Sequence, residues 1–259
     1  MWRSVLKYVL QITLHMSDTG QTPLIYACAC NNKKLVKILL ETNINLDDRN
    51  EFGWTALMIS AAEGYIDIVK MLLDSGAHID FCCPMGMTAL SFAALEGKKD
   101  VCELLLKYGS KDLRDYKGRS ALIIAADKGN QDCVNVLLAK FPQLIEQKNL
   151  DGYTALQLAA HSGNIAVVQV LIQHNANMNV TNARGWNPLL LATKSGSIDI
   201  VQFLLNKGSN KNHRTSSGWT ALITASAIGH NHICELLLNS NVEINVRNND
   251  GLTGYFLID

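Results

Sequence analysis

The sequence predicts an all-α solenoid of stacked helix-turn-helix units, and three observations predict it. A helix-capping residue recurs as Thr22, Thr55, Thr88, Ser120, Thr154, Asn187, Thr220 and Thr253, at spacings of 33, 33, 32, 34, 33, 33 and 33 residues. Two apolar series keep the same register: Leu24, Leu57, Leu90, Leu122, Leu156, Leu189 and Leu222 just after the cap, and Leu39, Leu72, Leu105, Leu137, Leu171, Leu204 and Leu237 further on. Within one copy, Gly53 to Asp80, the apolar spacing is that of two short helices. A unit of that kind cannot bury its apolar faces alone and needs a copy on either side.

That copy justifies each element in turn. Thr55 follows a glycine turn and offers a hydroxyl to the unpaired N–H groups of a starting helix. Leu57, Ile59, Ala61 and Ala62 form the first helix, whose small residues admit a close neighbour. Gly64 ends it in the left-handed conformation, where a Cβ would be strained. Ile66, Val69, Leu72 and Leu73 are the apolar stripe of a second, antiparallel helix, which Gly76 ends before a short extended finger.

Seven such units are read at 17–49, 50–82, 83–114, 115–148, 149–181, 182–214 and 215–247, as one elongated domain. Residues 1–16 read as a partial repeat or capping helix, with Trp2, Val5, Leu6 and Val9 on one stripe. Residues 248–259 read as an eighth repeat cut short, leaving Tyr255, Phe256, Leu257 and Ile258 without a following helix. Capping by further repeats or by another chain is therefore expected at the ends. In the first unit Asn31 and Asn43 replace both helix-ending glycines, as residues that tolerate left-handed geometry. In the fourth, Phe141 and Pro142 force the second helix to end by Phe141, and a kink in the stack is expected there. Pro84 lies in a finger, and Pro188 at a first helical position, where it is tolerated.

The 33-residue period and the G-x-T-A-L…A…G…I-V…L-L…G-A…N frame over residues 17 to 253 closely resemble ankyrin repeats. Many repeats of that family place His three residues after the cap, bonding around the turn. Here the position holds Ile25, Met58, Ser91, Ile123, Gln157, Leu190 and Ile223, so that bond is not expected.

Composition narrows the function. Lys plus Arg equals Asp plus Glu at 23 each, and neither half of the chain is basic, which argues against a nucleic-acid footprint. Nothing approaches the roughly 18 consecutive apolar residues of a membrane span, so a soluble protein is expected. Of seven cysteines, Cys28, Cys102, Cys133 and Cys234 fall on core positions, and none has disulfide or zinc spacing, which suits the reducing cytoplasm or nucleus. Cys82 and Cys83, in a finger, are the two expected to be accessible. The histidines lack ligand or triad spacing, no phosphate loop is present, and neither catalysis, metal nor cofactor is expected.

The resemblance implies a protein-binding scaffold or adaptor. In the family the finger, the residue before the cap and the end of the first helix line a concave face. The residue before each cap is Gln21, Trp54, Met87, Arg119, Tyr153, Trp186, Trp219 and Leu252. Trp54, Met87, Arg119, Tyr153, Trp186 and Trp219 are the candidate anchors, since aromatic residues and arginine dominate interfaces. Helix ends add Glu63, Glu96, Asp127, Lys128, His161 and Lys194, and fingers add Glu51, Phe52, Lys117 and Arg184, a row acidic early and more basic later. The competing reading is that the tryptophans hold the stack together. Asn245, and more loosely Asn179 and Asn212, occupy the finger position that hydroxylases modify in some ankyrin proteins, although an asparagine there also bonds its own loop. A second functional reading is a regulatory or targeting segment of a larger channel, kinase or microbial effector.

Overall fold

The computed structural model describes residues 20–254, so the expectations for residues 1–16 and 255–258 lie outside the described residues. Helices are the only regular elements described, in the order α1 (Pro23–Ala29), α2 (Lys33–Leu40), α3 (Ala56–Glu63), α4 (Ile66–Asp74), α5 (Ala89–Leu95), α6 (Lys99–Lys107), α7 (Ala121–Lys128), α8 (Gln131–Lys140), α9 (Ala155–His161), α10 (Ile165–Gln173), α11 (Pro188–Lys194), α12 (Ile198–Asn206), α13 (Ala221–Ile228) and α14 (Asn231–Asn239). No strand occurs among the described residues.

The chain packs as two units, Met1–Tyr116 and Lys117–Asp259. In the first, α1, α3 and α5 lie side by side as an inner layer and α2, α4 and α6 as an outer one. In the second, α7, α9, α11 and α13 form the inner layer and α8, α10, α12 and α14 the outer. Each inner helix also packs on the outer helix that follows it, which is the helix-turn-helix pairing of an ankyrin stack.

The core lies between the layers. Leu57, Met58, Ile68 and Leu72 are at most 1% exposed in the first unit, and Leu122, Leu137, Leu156 and Leu171 likewise in the second. Every inner helix begins on its cap: Thr22, Thr55, Thr88, Ser120, Thr154, Asn187 and Thr220 each accept the N–H three residues on, at 2.9–3.4 Å. Gly64 ends α3 at φ 83°, and Asn31 replaces such a glycine at φ 52°. Asn43 does not: Thr42 turns the chain instead, its N–H and hydroxyl both donating to Leu39 O (3.0 and 2.6 Å). The asparagines that stand in for glycine after an outer helix are Asn175 (φ 65°) and Asn241 (φ 56°).

In the fourth repeat α8 stops at Lys140, and the inserted residue is taken up by a 3₁₀ turn, Pro142–Leu144, which buries Leu144. α8 and α10 remain packed across it, so the packing is not interrupted where a kink was expected. Pro188 occupies the first turn of α11, and Pro23 that of α1.

Two of the residues in place of histidine bond the cap: the Ser91 hydroxyl lies 3.3 Å from the Thr88 hydroxyl, and Gln157 does more. Gln157, fully buried, accepts the Thr154 N–H through Oε1 (3.0 Å) and donates Nε2 to Trp186 O (2.7 Å) and Val180 O (3.2 Å). It thereby ties the fifth repeat to the sixth.

The cysteines divide differently from the sequence reading. Cys83 is buried and Cys30 exposed, so the exposed pair is Cys30 and Cys82, not Cys82 and Cys83. Burial pushes the Cys28 thiol up to about 11, against a partial opposing effect of the Ser60 side chain. A raised thiol pKa keeps Cys28 neutral above its ordinary pKa, so stability is full below the unfolded value and is lost as pH rises from there through the folded value. At pH 8, an aromatic disulfide reagent is expected to modify Cys30 and Cys82 within the mixing time and the five buried thiols only at the rate of unfolding. Prompt modification of Cys28 would contradict this packing.

Candidate interaction face

Each repeat presents the same short finger ahead of its inner helix. Between the first two repeats it runs Asn50-Glu51-Phe52-Gly53-Trp54. Asn50 N–H donates to Trp54 O (3.1 Å) and Gly53 N–H to Asn50 O (2.8 Å), with Gly53 at φ 73°. Asn50 Oδ1 then accepts from the N–H of Phe52 (3.1 Å) and of Trp54 (2.9 Å). The finger is thus a β-turn closed by two backbone bonds and locked by one side chain, rather than an extended hairpin.

The same lock recurs at Asn149, Asn182, Thr215 and Asn248, each accepting the N–H four residues on at 2.8–3.0 Å. These residues were missed in the sequence. Their signal is the cap register itself: Asn50, Cys83, Asp115, Asn149, Asn182, Thr215 and Asn248 all stand five residues before a cap.

In the first unit the lock turns Glu51 and Phe52 outward, with Phe52 61% exposed. Trp54 is half-buried, its ring edge on Phe92 at 4.8 Å and beside Phe52 at 6.0 Å. It is anchored as well as partly open. Met87, placed among the anchors, is 4% exposed and offers no surface; the side chain beyond it at the tip is Met85. Glu63 and Glu96 are exposed at the ends of α3 and α5. Tip to tip, Tyr116 N–H donates to Met85 O (3.0 Å).

In the second unit Arg119, Tyr153, Trp186 and Trp219 are half-buried, and Lys117 and Arg184 are exposed on fingers. Lys128, His161 and Lys194 are the exposed last residues of α7, α9 and α11, and Lys194 Nζ lies 5.3 Å over the Trp186 ring. Asp127 is half-buried, and its Oδ1 accepts the Ser162 hydroxyl (2.8 Å). Adjacent fingers are joined by Leu150 N–H to Lys117 O (2.9 Å), Ser216 Oγ to Arg184 O (3.1 Å) and Asn249 N–H to Ser217 O (3.0 Å).

The loops behind the fingers form a second series. Asp47 accepts His78 N–H, Asp80 accepts Lys111 N–H, Asn179 accepts Asn210 N–H and Asn212 accepts Glu243 N–H, each at 2.9–3.0 Å and each in the next repeat. The side-chain oxygens of Asn179 and Asn212 therefore serve the neighbouring loop, while their backbone N–H groups donate to Asn177 and Asn210 in their own, and Asn245 is exposed. His213 is likewise engaged, its Nε2 lying 2.8 Å from Gly185 O. His230 is half-buried beside Gly196, and His232 faces Glu235 on the surface.

Comparison with known proteins agrees with the repeat architecture. The family model for ankyrin repeats in three copies matches residues 3–81, 75–149 and 141–215, and the model for a single ankyrin repeat matches residues 217–249. Among curated proteins, the ankyrin repeat-containing protein ITN1 of Arabidopsis thaliana is 43% identical over 65 residues, 25% of this chain and 11% of that protein. The E3 ubiquitin-protein ligase MIB2 of Gallus gallus is 39% identical over 70 residues, 27% of this chain and 7% of that protein. The chain thus spans about a tenth or less of the length of these relatives. No helix among the described residues is long and apolar enough to cross a membrane.

Proposed function

The chain belongs to the ankyrin-repeat family, whose repeats bind other proteins, and we propose on that premise that it is a protein-interaction scaffold with no chemistry of its own. Partners are bound along the inner helices and finger tips of each unit. One observation carries the reading: the four most exposed large hydrophobic side chains described, Leu150 (77%), Tyr116 (73%), Phe52 (61%) and Met85 (54%), all stand at finger tips. Nothing in the fold requires an apolar residue there, since Arg184 and Ser217 occupy comparable tips. Large apolar side chains held in solvent, those of Phe52 and Leu150 on turns locked by Asn50 and Asn149, are suited to bury area against a partner at little cost in conformational entropy.

Half-buried Trp54, Trp186 and Trp219 combine packing with partial exposure. The variants Trp54→Ala, Trp186→Ala and Trp219→Ala, combined, are expected to lose specific protein capture from lysate while circular dichroism retains the helical signal. Trp54→Ala alone is expected to lower stability by about 1–3 kcal/mol, through lost contact with Phe92. Undiminished capture by the folded triple variant would place the binding face elsewhere.

A second reading, a regulatory or targeting segment of a larger protein such as a channel, kinase or effector, is favoured by the length of the relatives. It is tested by whether the natural reading frame carries a further domain.

A further inference from the structure

In the second unit the helical carboxylates other than Asp127 lie on the outer helices, which also carry Lys140 at the end of α8 and Lys207 just after α12. They are Asp132 in α8, Asp199 in α12 and Glu235 in α14, and Glu146 and Glu243 are occupied by loop hydrogen bonds. Along the inner row stand Lys128, His161 and Lys194, with Arg184 on a finger tip beside them in sequence to Trp186. Lys128, Arg184 and Lys194 make no ion pair among the described residues. The carboxylate at the helix ends, Asp127, is tied to Ser162, while Asp151 and Asp250 are exposed on fingers. Cations at helix ends complement the helix dipole, but Arg184 belongs to no helix.

The spacing of this row matches an extended chain. Packed helices lie about 8–10 Å apart, and α7, α9 and α11 are successive neighbours, so their terminal side chains form rungs at that interval. An extended or polyproline II segment rises about 3.1–3.4 Å per residue, so every third residue advances about 10 Å, and in polyproline II it returns to the same face. Nucleic-acid phosphates are more closely spaced, and the chain as a whole carries no net positive charge.

We propose that the inner row of the second unit binds an acidic, extended segment of a partner protein, with carboxylates at every third position meeting Lys128, His161 and Lys194 in turn and an apolar residue seated on Trp186. The proposal rests on the inner row being a binding face. Lys194, held over the indole, supplies charge and apolar surface at one point, which fits an acidic residue flanked by an apolar one.

The test uses the full chain and a fluorescein-labelled peptide with Glu at every third position and Pro and Ala between, read by anisotropy. Ionic strength is kept near 0.01 M, where the Debye length is about 30 Å. Saturable binding is expected, weakened roughly two- to fivefold by Lys128→Gln or by Lys194→Gln. Combining both with Arg184→Gln should weaken it by about tenfold or more, with melting temperature unchanged. A peptide of the same composition with its Glu residues adjacent should bind more weakly, and one with Lys for Glu should not bind.

No anisotropy change up to about 1 mM peptide, equal binding of the Lys or clustered peptides, or undiminished binding by the triple variant overturns the proposal. Tighter binding of an oligothymidylate reassigns the row to nucleic acid. If the peptide fails while Trp186→Ala still abolishes capture of a partner, the face stands and only its acidic ligand falls. If Trp186→Ala also leaves capture intact, the inner-row reading falls with it.

Discussion

Leu171→Ala is expected to lower the unfolding free energy by about 3–5 kcal/mol, the largest single effect of any truncation considered. Leu171 is fully buried in α10, which packs against α9 within its own repeat and against α8 and α12 on either side. Truncation removes a fully buried side chain from this packing and leaves a cavity that rigid helix pairs cannot close. In a stack held by nearest-neighbour interfaces, such a cavity also weakens coupling between the repeats it separates. Denaturant unfolding monitored by circular dichroism is expected to shift to lower midpoint and to broaden. A loss under about 1 kcal/mol would mean that the site collapses freely and the layers are not close-packed there.

Gln157→Leu is expected to cost about 2–4 kcal/mol although it replaces a polar residue by an apolar one of similar size. The buried amide of Gln157 serves the Thr154 N–H and the carbonyls of Trp186 and Val180, and leucine leaves all three without that partner. An unsatisfied buried polar group costs about 1–3 kcal/mol, whereas leucine recovers little because the side-chain volume was already filled. Gln157→His, carrying the residue common in the family, is expected to recover much of the loss by restoring a donor. Thermal unfolding of the three proteins decides it, and equal stability of the Leu variant would contradict the role assigned to the amide.

These expectations show which parts of the molecule are written in the sequence. The cap series and the two leucine series were readable because capping chemistry and apolar burial recur at one period, and Thr55, Leu57 and Leu72 play the parts their spacing assigned. The end of α8 was readable from Phe141 and Pro142, since proline excludes a helical predecessor. Asn43 was misread because left-handed tolerance is necessary for such a turn but not sufficient, and Thr42 supplied a competing local bond. Met87 was placed among the anchors by its position next to the cap, which it shares with Trp54 and Trp186, but it is 4% exposed where those two are half-buried. Cys83 followed the same logic: it stands at the turn-locking position of Asn50, which faces inward.

The exposed row of the fingers and helix ends was legible only in outline. Spacing picked out Phe52, Glu63, Lys194 and the tryptophans, all of which retain exposure. It did not pick out Met85, Tyr116 and Leu150, because nothing in one side chain's identity tells that a closed turn will hold it 54–77% open to solvent. For Leu150 that depends on the turn locked by Asn149, and for Met85 on the backbone bonds from Cys83 N–H to Met87 O and from Gly86 N–H to Cys83 O, which the period contains but does not explain.

The most direct measurement of the central claim is site-specific photo-crosslinking to captured partners. A benzophenone amino acid is placed in turn at Phe52 and Arg184 on the fingers, and at Lys70 and Gln202 on the outer helices, all exposed positions. Crosslinks from positions 52 or 184 and none from 70 or 202 are predicted. Crosslinks confined to positions 70 and 202 would contradict the account and move binding to the outer layer.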